Sequence, residues 1–204
     1  MLEGPLVFLD VDTQRDFLEN DGALYVPRAN EIIPNLAQLS ATAARRGIPI
    51  LATACSHQPD DSELRQFPPH CMAGTPGQSR IPATAHASSL VLPVGTSLHG
   101  EMPPHLTLEK NDIDVFHRTD SGEIFARYNE GHPLFIVYGV ATDYCVRKAV
   151  EGLLARGCRA AIVVDAIRAI DPSAETKILT DFARQGVLLA VTKAVCDDSR
   201  ARAG

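Results

Sequence analysis

Reactive side chains lie at the ends of three short apolar segments of the sequence. They are Asp10 and Asp12 at the end of residues 6–11, Lys110 after residues 105–109, and Cys145 after residues 134–140. Ligands of a doubly wound sheet bind outside the carboxyl ends of its strands, so strand-end residues from distant parts of a chain can meet in one cleft. A carboxylate, an ammonium and a thiol in one cleft are the groups that nucleophilic catalysis with a general base requires.

Cys145 lies where a cysteine can be activated. If Thr142 caps a helix over Thr142–Arg156, Cys145 belongs to the first turn, where unpaired N–H groups and the helix dipole lower the pKa of a thiol. A nearby lysine would lower the pKa further, and a carboxylate could take up the proton. Position alone leaves other interpretations open: a buried structural cysteine for Cys145, a strand-end lysine for Lys110, and a turn residue for Asp12.

A second cluster of ligand-forming residues follows the next apolar segment. Cys55 and His57 are two residues apart, so both can face one point, and His70 follows in a proline-rich stretch. These three residues could hold zinc or iron(II) and leave open positions for a substrate. The alternative interpretation is a core cysteine with two ordinary loop histidines.

The elements that must position these residues predict an α/β fold. Apolar runs, several of them continuous as in strands covered on both faces, alternate with amphipathic helical stretches. The predicted strands are residues 6–11, 48–53, 105–109, 134–140, 160–166 and 187–192. The predicted helices are Asn30–Arg46, Thr142–Arg156 and a last helix that begins at Asp171-Pro172-Ser173. Such alternation predicts a single domain over residues 1–204, with an open, mostly parallel sheet and helices on both faces, a Rossmann-like three-layer sandwich.

Residues 56–105 interrupt this alternation. Eight of the 14 prolines and five of the seven histidines lie there, which leaves little room for regular structure. Long loops inside compact domains are usually functional or disordered. The aromatic, histidine and proline content of this stretch favours a functional loop.

The composition limits the classes of function. The chain of 204 residues has 19 basic and 25 acidic residues, a net charge of −6, and no block of like charge, which argues against nucleic-acid and anionic-membrane partners. No apolar run approaches the ~18 residues of a membrane span, and the first residues lack the basic segment of a signal peptide. Five cysteines without a repeating spacing argue against a secreted disulfide framework. We therefore expect a cytoplasmic protein.

A phosphate or nucleotide binder is unsupported because no strand is followed by a glycine-rich loop.

Five segments follow the order of motifs in a known family. They are VDTQRDF (11–17), GALYVP (22–27), HCMAGTPG (70–77), LEKNDIDVF (108–116) and GVATDYCVRKAV (139–150). With these segments the chain resembles the isochorismatase-like cysteine hydrolases, which include nicotinamidases. The last motif is quite specific, and the series in register is hard to obtain by chance.

The resemblance implies roles for individual residues. Asp12 would be the general base, Lys110 its cationic partner and Cys145 the nucleophile. A cis peptide between Val140 and Ala141 is implied, with the N–H groups of Ala141 and Cys145 forming an oxyanion hole. Members of the family are often dimers or tetramers, so a homo-oligomer is expected.

The metal site departs from the pattern of the family. In nicotinamidases the ligands are typically an aspartate, a histidine two residues later and the histidine of the HC segment. Here His57 and His70 match, and Cys55 stands at the aspartate position. Because a thiolate is a good zinc ligand, one divalent metal, zinc or iron, on Cys55, His57 and His70 remains chemically sensible. The resemblance also places Phe17 and Tyr144 in the wall of the substrate pocket.

These implications predict a cysteine-dependent amidohydrolase acting on a small-molecule amide. The first substrate hypothesis is nicotinamide, cleaved to nicotinate and ammonia through a thioester. Alternatives are another carbamoyl or ureido amide, or an enol ether as in isochorismatase, whose chemistry needs no cysteine. A hypothesis from a different class is a non-catalytic α/β module whose thiols sense redox state or a metal.

Overall fold

The computed structural model describes residues 4–197, and its strands form one seven-stranded sheet. The strands are β1 (Leu6–Val11), β2 (Ile50–Cys55), β3 (Leu90–Leu92), β4 (His105–Lys110), β5 (Leu134–Val140), β6 (Arg159–Arg168) and β7 (Leu188–Ala190). Neighbouring strands are parallel throughout, in the order β3-β4-β2-β1-β5-β6-β7. Of the domain predicted over residues 1–204, residues 1–3 and 198–204 lie outside the described residues.

Helices cover both faces of the sheet. They are α1 (Arg15–Leu18), α2 (Ile33–Arg46), α3 (Ser121–Tyr128), α4 (Arg147–Ala155), α5 (Pro172–Arg184) and α6 (Thr192–Asp197). One core cluster joins the sheet to Phe125 of α3, Leu153 of α4 and Phe182 of α5. The other joins it to Leu36 of α2 and Val195 of α6. The predicted three-layer α/β fold is confirmed.

The predicted elements are present, with shifted ends. Each of the six predicted strands lies within two residues of its predicted bounds. Four elements were not predicted from the sequence: α1, β3, α3 and α6, which follows the helix predicted as the last one. β3 has only three residues, two of them exposed, and α1 and α3 are too short to give a clear helical periodicity. Among residues 4–197, we find no helix with the length and apolar character needed to cross a bilayer.

The helix predicted over Thr142–Arg156 begins differently from the prediction. Thr142–Val146 forms a π-helical turn, and the α-helix starts at Arg147. The Thr142 side chain does not cap this helix, because its hydroxyl donates to the Glu175 carboxylate at 3.0 Å. π-Helical turns are often found at functional sites.

The loop predicted between residues 56 and 105 contains little regular structure, as expected. Besides β3 it has two 3-10 turns, Ser62–Arg65 and Pro76–Gln78. The loop is tied to the strand ends by two isolated bridges, His57 to Met72 and Gln14 to Arg80. It therefore runs beside the carboxyl ends of β1 and β2.

β1 lies in the middle of the sheet, and β5 approaches it closely at Gly139. Gly139 pairs with Val11 and has a φ of +114°. A Cβ at this position would lie 2.0 Å from the Val11 carbonyl oxygen, so a side chain would displace the backbone that leads directly into Asp12.

We predict that Gly139→Ala lowers the free energy of unfolding far more than Gly131→Ala, which is the matched control. Gly131 also has a positive φ, +78°, but open space where a Cβ would be. The control therefore measures the backbone cost alone, about 1–2 kcal/mol, whereas Gly139→Ala adds a backbone clash. Urea titration followed by circular dichroism measures both variants. Equal losses would show that the β1–β5 approach is not a constraint.

Candidate active site

The carboxyl ends of four neighbouring strands form the candidate site. β4, β2, β1 and β5 lie side by side. The reactive residues at their ends are Lys110 of β4, Cys55 of β2, Asp12 just beyond β1, and Cys145 in the turn after β5. The structure thus brings Asp12, Lys110 and Cys145 together, as the sequence predicts, and adds Cys55 to them.

The Lys110 ammonium is the centre of this group. Its Nζ lies 2.9 Å from Asp12 Oδ2, 3.1 Å from Cys55 Sγ and 3.4 Å from Cys145 Sγ. It also donates to the carbonyl oxygen of Asp112 at 3.0 Å. Lys110 is only 3% exposed, so these contacts replace the water that a surface lysine would have.

Asp12 and Lys110 are a charged pair at neutral pH. Burial raises the pKa of Asp12, but the Lys110 ammonium and the Thr53 hydroxyl, which donates to Oδ1 at 2.5 Å, lower this pKa more. Burial lowers the pKa of Lys110, but Asp12 and the two cysteine sulfurs raise it well above its ordinary value. Each group therefore keeps the other ionised.

The pKa of the Cys145 thiol is raised, whereas a lowered pKa was expected. Its hydrogen bond with Cys55 and its burial raise the pKa of the thiol well above the ordinary value, against the lowering effect of Lys110. The expected lowering at a helix start does not apply, because the α-helix begins only at Arg147 and the Cys55 hydrogen bond and burial outweigh the ammonium. The ligand atoms of Asp12, Cys55 and Cys145 lie within 4.8 Å of one another, so Asp12 is close enough to take the Cys145 proton.

Asp10 does not join this group. Its carboxylate forms an ion pair with the Arg80 guanidinium and accepts a hydrogen bond from the Thr13 hydroxyl at 2.8 Å. Asp10 is therefore a buried structural carboxylate beneath the site.

The turn between β5 and Cys145 contains the cis peptide implied by the resemblance, between Val140 and Ala141. Tyr144 and Val146 both donate their N–H groups to the Ala141 carbonyl. The oxyanion role of the Ala141 and Cys145 N–H groups stays a prediction.

Four buried side chains form a second cluster beside Cys145. Ligand atoms of Cys55, His57, Glu63 and His70 lie within 4.8 Å of one another. Three of these residues have a buried atom without a hydrogen-bond partner: Nε2 of His57, Oε2 of Glu63 and Nε2 of His70. Unpartnered polar atoms that converge in a buried place are costly unless a cation joins them.

The remaining contacts of the two histidines also fit a metal. Nδ1 of His57 lies 3.2 Å from an Asp61 oxygen, and Nδ1 of His70 lies 2.8 Å from the Pro68 carbonyl oxygen. Such contacts orient a histidine so that Nε2 can bind a metal. The donor set of one sulfur, two nitrogens and one carboxylate oxygen suits zinc.

Glu63 and Gln14 also belong to this region and were not predicted from the sequence. Glu63 lies in an irregular loop, and its only signal is a carboxylate between His57 and His70. Gln14 is part of the first motif, and its side-chain amide donates to the Cys55 carbonyl at 2.8 Å and accepts from the Cys55 N–H at 2.7 Å. It therefore fixes the backbone of Cys55 between the two clusters.

A narrow pocket leads to Cys145. Phe17 and Tyr144 line it, where the resemblance placed them. The other lining residues are Leu24, Glu63, Phe67, His70, Ile113, Ala141 and Ile170. The cavity volume is about 20 Å³, close to the space needed for one water molecule. The edge-to-face contact of Phe67 with Tyr144, with ring centres 5.1 Å apart, helps to close it.

Comparison with known proteins assigns the family. The isochorismatase domain model matches residues 6–193. The chain belongs to the isochorismatase family. Among curated protein sequences, no significant match was found.

Three solved structures with similar folds are examples of the proteins that this chain resembles. A nicotinamidase from Bacillus subtilis has a TM-score of 0.77 at 22% identity, covering 92% of this chain and 99% of its own. An N-carbamoylsarcosine amidase from Thermoplasma acidophilum has a TM-score of 0.74 at 25% identity, covering 93% and 97%. A pyrazinamidase from Pyrococcus horikoshii in complex with zinc has a TM-score of 0.74 at 26% identity, covering 92% and 99%.

In this isochorismatase-family chain, the buried Asp12–Lys110 ion pair should make a large contribution to the free energy of unfolding. We predict that Lys110→Met lowers the free energy of unfolding by about 3–5 kcal/mol at pH 7, because it leaves the Asp12 charge buried without a partner. The double variant Asp12→Asn/Lys110→Met should recover much of that loss.

The loss in Lys110→Met should also shrink between pH 7 and pH 4. Without the ammonium, burial raises the pKa of Asp12, and protonation then removes the unpaired charge. Urea titrations at both pH values test this point. A double variant as unstable as the single one would contradict the pairing.

Proposed function

We propose that the chain is a cysteine-dependent amidohydrolase that cleaves the C–N bond of a small neutral aromatic amide, with nicotinamide as the first candidate. The products would be nicotinate and ammonia. The observation that carries this proposal is the Cys145 sulfur at the end of an apolar pocket, 3.4 Å from the ammonium that also holds Asp12.

The reaction follows from the positions of these groups. Cys145 transfers its proton to Asp12 as its sulfur attacks the amide carbonyl carbon, because bond formation lowers the proton affinity of the sulfur. The N–H groups of Ala141 and Cys145 stabilise the oxyanion, each by about 3–4 kcal/mol as in comparable enzymes. Asp12 then delivers the proton to the nitrogen that leaves as ammonia.

Hydrolysis of the thioester reverses these roles. Asp12 takes a proton from a water molecule, which attacks the thioester carbonyl. The acid leaves, and the sulfur of Cys145 regains its proton from Asp12. The Lys110 ammonium lowers the pKa of Asp12, so that Asp12 is ionised when it has to accept a proton.

The lining of the pocket favours a neutral substrate. The part of it that the structure describes is mostly aromatic and aliphatic and contains neither arginine nor lysine. N-Carbamoylsarcosine carries one carboxylate and isochorismate carries two, and neither would find an arginine or lysine in this lining to pair with. A ring-sized amide would still require Phe67 or its neighbours to move, because the cavity volume is only about 20 Å³.

A divalent metal fits beside the pocket. Cys55, His57, Glu63 and His70 would hold it. Such an ion would act as a Lewis acid that binds and orients a substrate heteroatom. The zinc in the Pyrococcus horikoshii pyrazinamidase supports zinc as the first candidate.

The activity is tested by ammonia release from nicotinamide, benzamide and N-carbamoylsarcosine. We predict turnover of nicotinamide by the wild type and its loss in Cys145→Ala, because the acyl-enzyme cannot form without the sulfur. Cys158→Ala is the matched control, since Cys158 is also buried but lies just before β6, at the amino end of that strand and away from the site. Turnover of N-carbamoylsarcosine alone would favour a carbamoyl amidase. No turnover of any amide would favour the enol-ether hydrolase or the non-catalytic module.

Metal binding is tested by elemental analysis and zinc titration. We predict about one zinc per chain in the wild type and at least about tenfold weaker binding in His70→Ala, since loss of a group that holds or orients a metal typically costs 10–100-fold in affinity. Cys55→Asp should retain zinc because a carboxylate is also a zinc ligand. The control is His117→Ala, whose exposed ring pairs with Asp112 outside the cluster. Equal zinc content in the wild type and His70→Ala would contradict the site.

A further inference from the structure

Cys55 and Cys145 form a buried pair of thiols that the proposed hydrolysis does not use as a pair. Their sulfur atoms lie within 4.8 Å of each other, and both contact the ammonium of Lys110, at 3.1 Å and 3.4 Å. Neither cysteine is in a disulfide. Amide cleavage needs one nucleophilic sulfur. The proposed metal site gives Cys55 a role as a ligand, and the contact of both sulfurs with one ammonium allows a second role for the pair.

The two thiols differ in access. Cys145 lines the pocket and is 8% exposed, whereas Cys55 is completely buried. The cavity of about 20 Å³ admits a molecule close to water in size, such as hydrogen peroxide. An oxidant that enters the pocket therefore meets Cys145 first, and Cys55 is the thiol behind it.

We propose that Cys145 and Cys55 are a peroxide-oxidised pair, in which Cys145 reacts with a small hydroperoxide and Cys55 resolves the product as an intramolecular disulfide. The proposal goes beyond amide hydrolysis and does not depend on the substrate.

The chemistry has two balanced steps. The Cys145 thiol passes its proton to Asp12 as its sulfur attacks one oxygen of the hydroperoxide, the O–O bond breaks, and the sulfur becomes a sulfenic acid. The other oxygen takes that proton back from Asp12 and leaves as water or an alcohol. The Cys55 sulfur then attacks the Cys145 sulfur, the S–S bond forms, and hydroxide leaves and is protonated to water by the proton of the Cys55 thiol. Two thiols and one hydroperoxide thus give one disulfide, one water and one water or alcohol.

Lys110 is suited to both steps. Its ammonium contacts both sulfurs, so it can stabilise negative charge on either sulfur and on the hydroxide that leaves the Cys145 sulfur. To form the disulfide, the two sulfurs must close from within 4.8 Å to the bond length of about 2.0 Å. The disulfide removes the nucleophile of the proposed hydrolase until a dithiol reduces it.

The test is peptide mapping of the oxidised protein. The chain, as purified and after treatment with a chelator, is exposed to hydrogen peroxide at pH 7, alkylated, and digested without reduction. Both preparations are needed because a bound metal would hold Cys55 as a ligand. We expect a linked peptide containing Cys55 and Cys145 in at least one preparation, and its loss after treatment with dithiothreitol.

Variants identify the resolving thiol. In Cys55→Ser the linked peptide should be absent and dimedone should label Cys145 as a sulfenic acid, whereas Cys158→Ser should behave as the wild type. Linkage of Cys145 to another cysteine, or sulfinic acid at Cys145 without any linked peptide in the wild type, would overturn the proposal. The wild-type map decides the question even where a variant fails to fold, and it needs no amide substrate.

Discussion

The structure of the site depends on one buried positive charge. The Lys110 ammonium has lost its water and is compensated by the Asp12 carboxylate, two sulfurs and one carbonyl oxygen. A buried ammonium without such partners is strongly destabilising, so the groups around it must stay in place. Because these groups come from the ends of β1, β2 and β4 and from the turn after β5, the charge ties four strand ends to one point.

The strand order makes this convergence possible. The chain builds β1 in the middle, places β2, β4 and β3 on one side of it, and returns to place β5, β6 and β7 on the other. The direction in which strands are added therefore reverses at β1, between its neighbours β2 and β5. Open α/β sheets bind ligands at such a switch point. The absence of a side chain at Gly139 lets β5 come close enough to β1 for Cys145 to reach Asp12.

Much of this arrangement could be predicted from the sequence. Continuous apolar runs that end in Asp12, Lys110 and Cys145 define both the buried strands and the edge at which these residues meet. The environment of Cys55 could not be predicted in this way. The alternation of side chains along a strand predicts that Cys55 and His57 face the same side. Only the register of β2 against β4, in which Cys55 pairs with Lys110, puts the Cys55 sulfur against the ammonium. Glu63 was missed because no periodicity governs an irregular loop.

The residue type at position 55 links the two clusters of the site. The aspartate that nicotinamidases typically have there would place a permanent negative charge next to Asp12 and Lys110. A thiol is neutral until it loses its proton, so in this chain the negative charge at position 55 depends on whether a cation on His57, Glu63 and His70 stabilises the thiolate. Metal binding would then bring both the thiolate and the charge of the ion itself close to Lys110 and change the electrostatic environment of Cys145. A thiol in place of a carboxylate would therefore preserve a ligand for the proposed metal and would make the charge around Cys145 conditional on that metal.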